Sequence, residues 1–175
     1  MRVLGVDPGT QVTGYGVIET GNGNGSPGLG RLIECGVFRF ARTNSLPHRL
    51  AELHQAIATL IERHQPSVLA LEDAFYQKNV RTTLVLGHAR GVILLAAQQA
   101  ELDIAQYAPA MIKKTVAGTG GARKNQVGAM VAHLLRLKTA PQPSDAADGV
   151  AAALTFILRG IGVGPQHAAP LRRAT

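Results

Sequence analysis

Arg2-Val3-Leu4-Gly5-Val6-Asp7-Pro8-Gly9-Thr10 is the stretch whose reading decides the fold. Arg2 to Val6 is a short apolar run, and Asp7-Pro8-Gly9-Thr10 ends it with a strong turn signal, because proline fixes φ and glycine supplies positive φ. The run reads as a first strand with a carboxylate at its end. Thr13 to Glu19 and Arg31 to Phe40 alternate or are β-branched enough to read as two further strands. They are joined by Gly21-Asn22-Gly23-Asn24-Gly25-Ser26-Pro27-Gly28, a turn composition. An antiparallel meander follows.

Beyond the meander the period changes. Leu46 to His64 carries apolar residues at Leu50, Leu53, Ile57, Leu60 and Ile61, the 3.6-residue spacing of an amphipathic helix, and Pro66 ends it. Ser67 to Glu72 is then a short apolar strand, expected to lie parallel to the first through a right-handed crossover. Asn79 to Glu101 is helical in pattern but apolar on nearly every face, so it needs cover on two sides. One side suits the sheet. The other suits a second copy of the same helix, with Gly87 and Gly91 one turn apart for close approach, or else further helices of the same chain. Leu102 to Tyr107 reads as a fifth strand, Pro109 as the first-turn residue of a short helix, and Gly118-Thr119-Gly120-Gly121 as its break. Lys124 to Leu137 and Asp145 to Arg159 give two last helices. The tail from Gly160, with Pro165, Pro170, Arg172 and Arg173, has no periodicity and is expected to be disordered. The expected organisation is one domain over residues 1–159 and a tail over 160–175.

Composition sets bounds. The 175 residues are 46% hydrophobic, enough for a single core, and carry a formal net charge of +7. A lone cysteine, Cys35, excludes an internal disulfide and reads as a small buried hydrophobe. There is no secretory leader pattern, and no apolar stretch reads as long enough to span a bilayer, so a cytoplasmic protein without a membrane partner is expected. The positive balance fits RNA, DNA or an anionic surface equally well.

Four acids stand out against that charge: Asp7, Glu72, Asp145 and Asp148. Asp145 and Asp148, i and i+3 on a helix, share one face. Adjacent parallel strands ending in Asp7 and Glu72 bring two more carboxylates to one sheet edge, whereas Asp73 points to the other face. Each has an ordinary reading, as a turn former, a strand-end acid, an N-cap or a complement to a helix dipole. Together, four uncompensated acids would repel and raise one another's pKa. A divalent ion such as Mg²⁺, which takes oxygen ligands, relieves this. Two such ions about 4 Å apart can activate a water and stabilise the leaving oxygen of a phosphoryl displacement. The expected chemistry is metal-dependent phosphodiester cleavage.

Cations surround these acids in sequence. Lys78 and Arg81 follow Phe75-Tyr76 just past Glu72, while Lys113, Lys114, Arg123 and Lys124 bracket the glycine loop. Singly each is an ordinary surface charge; clustered, they would neutralise phosphates. Phe75 and Tyr76 could stack on an unpaired base, although Phe75 also suits a core position. No histidine pair has metal-ligand spacing, so His48, His54, His64, His88 and His133 read as ordinary helix residues, and His167 lies in the tail.

The order βββαβαβα, a five-stranded mixed α/β sheet flanked by helices, is similar to that of ribonuclease H-like nucleases. Val6-Asp7-Pro8-Gly9-Thr10 with Thr13-Gly14-Tyr15-Gly16, then Leu71-Glu72-Asp73-Ala74-Phe75 with Lys78-Asn79, then Ser144-Asp145-Ala146-Ala147-Asp148 resemble the RuvC family of bacterial Holliday-junction resolvases. The resemblance covers residues 1 to about 158. It implies that Asp7, Glu72, Asp145 and Asp148 bind Mg²⁺ or Mn²⁺, two ions per site; some members carry His where Asp145 stands. It also implies that Lys113 and Lys124 contact DNA or the scissile phosphate and that Phe75 stacks near the branch point. A homodimer nicking two strands of like polarity in a T-rich context, with the RuvA–RuvB branch-migration complex as partner, is implied as well. The turn over 21–28 looks longer than the family needs.

Three rivals are distinguishable. Asp7-Pro8-Gly9-Thr10 also resembles the first phosphate loop of actin-like ATPases and sugar kinases, but those need a second, similar domain and 175 residues leave no room for one. YqgF-like nucleases acting on ribosomal RNA precursors share the first strand motif, yet Phe75 to Asn79 and the Lys113/Lys124 pair fit RuvC better. A module that binds branched DNA without cutting would not need the acid set.

Overall fold

The computed structural model describes residues 1–21, 29–73 and 79–162. Most of the turn over 21–28, the residues Phe75, Tyr76 and Lys78, and the tail from 163, with His167, lie outside the described residues. In chain order the elements are β1 (Arg2–Asp7), β2 (Val12–Glu19), β3 (Arg31–Arg39), α1 (Leu46–His64), β4 (Val68–Glu72), α2 (Val80–Gln99), β5 (Asp103–Tyr107), α3 (Pro109–Ala117), α4 (Lys124–Leu134) and α5 (Ser144–Gly162). Each expected element is present. The largest differences lie late in the chain: α5 runs to Gly162 instead of stopping at Arg159, and α4 stops at Leu134 instead of Leu137. The early stop has a local cause. Arg136 takes a positive φ of 54°, and the Leu137 amide donates back to the Ala132 carbonyl at 2.8 Å, closing the helix end in the manner of a Schellman turn.

The five strands form one sheet in the order β3-β2-β1-β4-β5. β1 pairs antiparallel with β2, and β2 with β3, which is the expected meander. β4 lies parallel to β1, and β5 parallel to β4. The pleat then sorts side chains into two layers. Leu4, Val6, Tyr15, Val17, Leu69 and Leu71 join Leu53, Ile57, Ile93 and Ala97 on the side of α1 and α2. Val3, Ile18, Val68 and Ala70 join Val127, Val131, Val150 and Leu154 on the side of α3, α4 and α5. Cys35 is only half-buried, against this second layer. Of the histidines, His64 at the end of α1 does structural work, its Nε2 lying 2.7 Å from Glu34 of β3.

What brings α5 onto the sheet is the removal of side chains. A Cβ on Gly14 would stand 1.8 Å from the Asp145 carbonyl oxygen, and one on Gly149 would stand 2.5 Å from Cα of Tyr15. Gly5 and Gly16 complete the track, facing Gly149 and Val150. Glycine in a strand is otherwise unfavourable and commonly marks such a backbone approach.

α2 is the outlier. It contacts α1 and the α1/α2 layer through Ala89, Ile93, Ala96 and Ala97, but Leu84 and Leu95 are exposed, and the Gly87 and Gly91 positions face open space. By length and composition it could cross a membrane, so the expectation that no stretch is long enough is corrected. The sequence reading saw the helix as apolar on nearly every face but did not set its length against a bilayer, although valine, leucine and isoleucine supply much of its twenty residues. Its Arg90 pairs at 3.1 Å with Asp73 and hydrogen bonds Gln106, which anchors α2 to the sheet ends.

Gly14→Ala should cost at least about 2 kcal/mol, because the methyl group must push α5 off β2. The thermal midpoint, followed by circular dichroism, should fall by roughly 4–8 °C in a domain of this size. An unchanged midpoint would mean that the helix is not held by this contact.

Candidate metal centre

Register places the first two acids. Val6 of β1 is level with Leu71 of β4, so the next residues, Asp7 and Glu72, end neighbouring parallel strands at the same sheet edge. Val6 and Leu71 face the α1/α2 layer, and the alternation therefore turns Asp7 and Glu72 toward α5. The glycine track supplies the other two. Because the Asp145 carbonyl rests over Gly14, the first turn of α5 begins beside Asp7, and Asp148 follows on the same face.

Carboxylate oxygens of Asp7, Asp145 and Asp148 all lie within 4.8 Å of one another. Glu72 stands outside that trio, yet its charge acts on Asp7, and that of Asp148 acts on it. The four expected acids thus converge as three plus one. Asp148 is the more enclosed of the helix pair, its side chain 15% exposed against 37% for Asp145, so Asp145 lies nearer the mouth.

Lys124, the first residue of α4, enters this pocket. Its Nζ donates to Asp148 Oδ2 at 2.7 Å and to Asp145 Oδ1 at 3.2 Å. Burial opposes its charge, but Asp148 and then Asp145 outweigh burial and push the ammonium pKa up. One ammonium does not balance four acids. Burial, reinforced by Glu72 and Asp148, holds the Asp7 carboxyl well above the usual range, despite the pull of Lys124. Burial and Asp148 raise Glu72 to about 7, with Lys113 and Lys124 pulling down. Buried like charges of this kind are a common mark of functional sites. The donor set is all oxygen, with neither His nor Cys among the trio, which fits a hard divalent cation such as Mg²⁺.

The remaining expected residues divide. Lys113 of α3 acts on Glu72. Lys114, Arg123 and Arg81 are exposed on α3, before α4 and on α2, without a described contact to the acids. Phe75, Tyr76 and Lys78 lie outside the described residues. Asp73 points away, paired with Arg90 as the pleat requires.

Sequence reading missed the braces on the turn after Asp7. Thr13 is fully buried, and its Oγ1 accepts from the Gly9 amide at 3.5 Å. Arg49 of α1 donates to the Thr10 carbonyl at 2.9 Å, and Arg42 to the Gln11 side chain at 2.6 Å. Gly14 and Gly16, alternating along a strand, were the available signal for helix docking. For the two arginines no local signal exists, since their partners are more than thirty residues away.

Comparison with known proteins gives one consistent answer. Residues 3–156 match the family model described as crossover junction endodeoxyribonuclease RuvC. The crossover junction endodeoxyribonuclease RuvC of Halorhodospira halophila is 48% identical over 153 residues, 87% of each chain. The Thermus thermophilus RuvC structure superposes with a TM-score of 0.81 at 32% identity, covering 93% of this chain and 97% of that one. T. thermophilus RuvC in complex with Holliday junction substrate gives the same TM-score at 29% identity, covering 93% and 96%.

The raised Glu72 pKa sets a pH test without metal. Folding favours the protonated form, so the penalty for ionised Glu72 is small near its ordinary value of 4.5, grows as pH rises, and is fully present above about 7. In chelator, Glu72→Gln should therefore melt higher than the parent at pH 8 and close to it at pH 5. A gain at pH 5 with none at pH 8 would contradict the repulsion.

Proposed function

The chain belongs to the crossover junction endodeoxyribonuclease RuvC family, and from that premise we propose that its four-acid pocket cuts four-way DNA junctions by paired symmetric nicks in recombination and repair. The observation that carries the proposal is the convergence of Asp7, Asp145 and Asp148 within 4.8 Å, with Glu72 alongside. Such a set suits phosphodiester hydrolysis without a nucleophilic side chain. Asp7, Asp145 and Asp148 would hold one divalent ion, with Glu72 and Asp7 available to a second, Mg²⁺ or Mn²⁺. When bound, the ions supply activation of the attacking water and stabilisation of the leaving oxygen.

The chain's own side chains do the rest. Ionised Glu72 is needed to hold an ion, so its proton competes with the metal, and more metal should be required for activity as pH falls below neutral. Lys113, beside Glu72, neutralises backbone phosphate at the pocket mouth. Lys124 compensates Asp145 and Asp148 until DNA and metal arrive, and then becomes available to the scissile phosphate. Exposed Lys114, Arg123 and Arg81 add phosphate contacts. Phe75, Tyr76 and Lys78, which follow β4 in sequence, serve the branch point by stacking and charge.

The second copy fits α2. Leu84, Gly87, Gly91 and Leu95 form a stripe at helical spacing whose large side chains are exposed and whose glycines admit a close neighbour. Two copies related by a two-fold axis would present two pockets to the two-fold symmetric arms of a junction. The RuvA–RuvB complex is the expected partner, the cytoplasm the expected compartment, and one domain with a separate tail the proposed organisation, its boundary moved from residue 159 to the end of α5 at Gly162.

Asp148→Asn should slow nicking of a synthetic four-way junction by roughly 100-fold or more, while junction binding in Ca²⁺ is kept or improved by the lost repulsion. Nicking at the parental rate would remove Asp148 from the site. Leu84→Glu should shift the protein to monomer in analytical ultracentrifugation; a persistent dimer would assign that interface to another face.

A further inference from the structure

We propose that Arg39 and Arg42 form a second phosphate-binding flank of the acidic pocket, gripping junction DNA on the side opposite Lys113. The inference rests on the nuclease reading above and extends its binding surface to the end of β3.

Position comes from register and pleat. Phe38 and Phe40 pack into the α1/α2 layer, so Arg39 between them faces the other way, toward α5, on the same face as Asp7 and Glu72. Gly14, beneath the Asp145 carbonyl, is level with Val37, and Val12 is level with Arg39. Arg39 therefore lies on the pocket's face, two residues farther out along the sheet. Two strand spacings of about 4.8 Å separate β1 from β3, and two residues add about 6.6 Å. Arg39 is then roughly 12 Å from Asp7 by these spacings, about three to four nucleotides along a strand that advances ~3.4 Å per phosphate. Lys113 acts on Glu72 at the end of β4, which lies on the opposite side of β1 from β2 and β3. A backbone crossing the pocket would leave over β3.

Charge placement supports the same surface. Surface arginines at the far end of the sheet are neutralised within the chain: Arg2 and Arg31 by Glu19 at 2.9 and 3.3 Å, and Arg63 by Glu34 at 3.1 Å. Arg39 and Arg42 are both exposed, and among the described residues neither has a carboxylate at ion-pair distance. Arg42 is held instead by the neutral Gln11 side chain, on the turn that carries Asp7. This fixes its direction while leaving its charge available.

The test is the salt dependence of binding to a synthetic four-way junction in Ca²⁺, read by fluorescence anisotropy over roughly 0.05 to 0.2 M salt. Arg39→Gln/Arg42→Gln should flatten the log–log slope by about 2 and weaken binding roughly 10- to 100-fold at the upper end. Nicking at saturating junction should stay within about threefold of the parent, because neither residue touches the acids. Arg31→Gln should leave the slope unchanged. A double variant with the parental slope, beside a parent that binds and cuts, would overturn this inference alone. A parent that neither binds nor cuts would overturn the nuclease reading and this one with it.

Discussion

Backbone-to-backbone contact between α5 and the first two strands is the constraint on which everything else depends. With Gly5, Gly14 and Gly16 on the strands and Gly149 on the helix, no side chain keeps the two elements at ordinary packing distance. The helix can therefore lower its first turn to the level of the strand ends. Only then do short aspartates suffice, since Asp145 and Asp148 reach Asp7 without the length and rotamer freedom of glutamate. The cost of glycine in strands is offset by the apolar layer beneath, where Val150, Ala151 and Leu154 are fully buried.

Electrostatics and fold work against each other at this edge. Burial that packs α5 tightly is the first cause of the raised pKa values of Asp7 and Glu72, so the stable core and the strained charges are one structure. Lys124 relieves part of the strain from outside, on a helix that joins the α5 layer through Val127 and Val131. Such local cost at a working site is the ordinary exchange of stability for activity.

Much of this is legible in the sequence. Turn chemistry after Val6, the period change at Leu46 and the i, i+3 spacing of Asp145 and Asp148 are local signals, and each gave the right element or face. The pairing of Asp7 with Glu72 followed from one crossover rule. What escaped the sequence was non-local. Nothing near Glu72 says that it falls outside the trio of closest oxygens, and nothing near Lys124 says that it reaches Asp148, because both depend on where α4 and α5 dock. The apolar character of α2 was read correctly, but its twenty-residue length was not weighed against the thickness of a bilayer.

The pocket is also assembled from elements far apart in the polypeptide. β1 is the first and α5 the last of the described elements, so Asp7 waits, during synthesis, for aspartates made more than one hundred residues later. A nascent chain still on the ribosome, or one truncated before residue 144, has the strands but not the cage. The metal-binding cage is thus withheld by topology until α5 has been translated and has settled onto its glycine track.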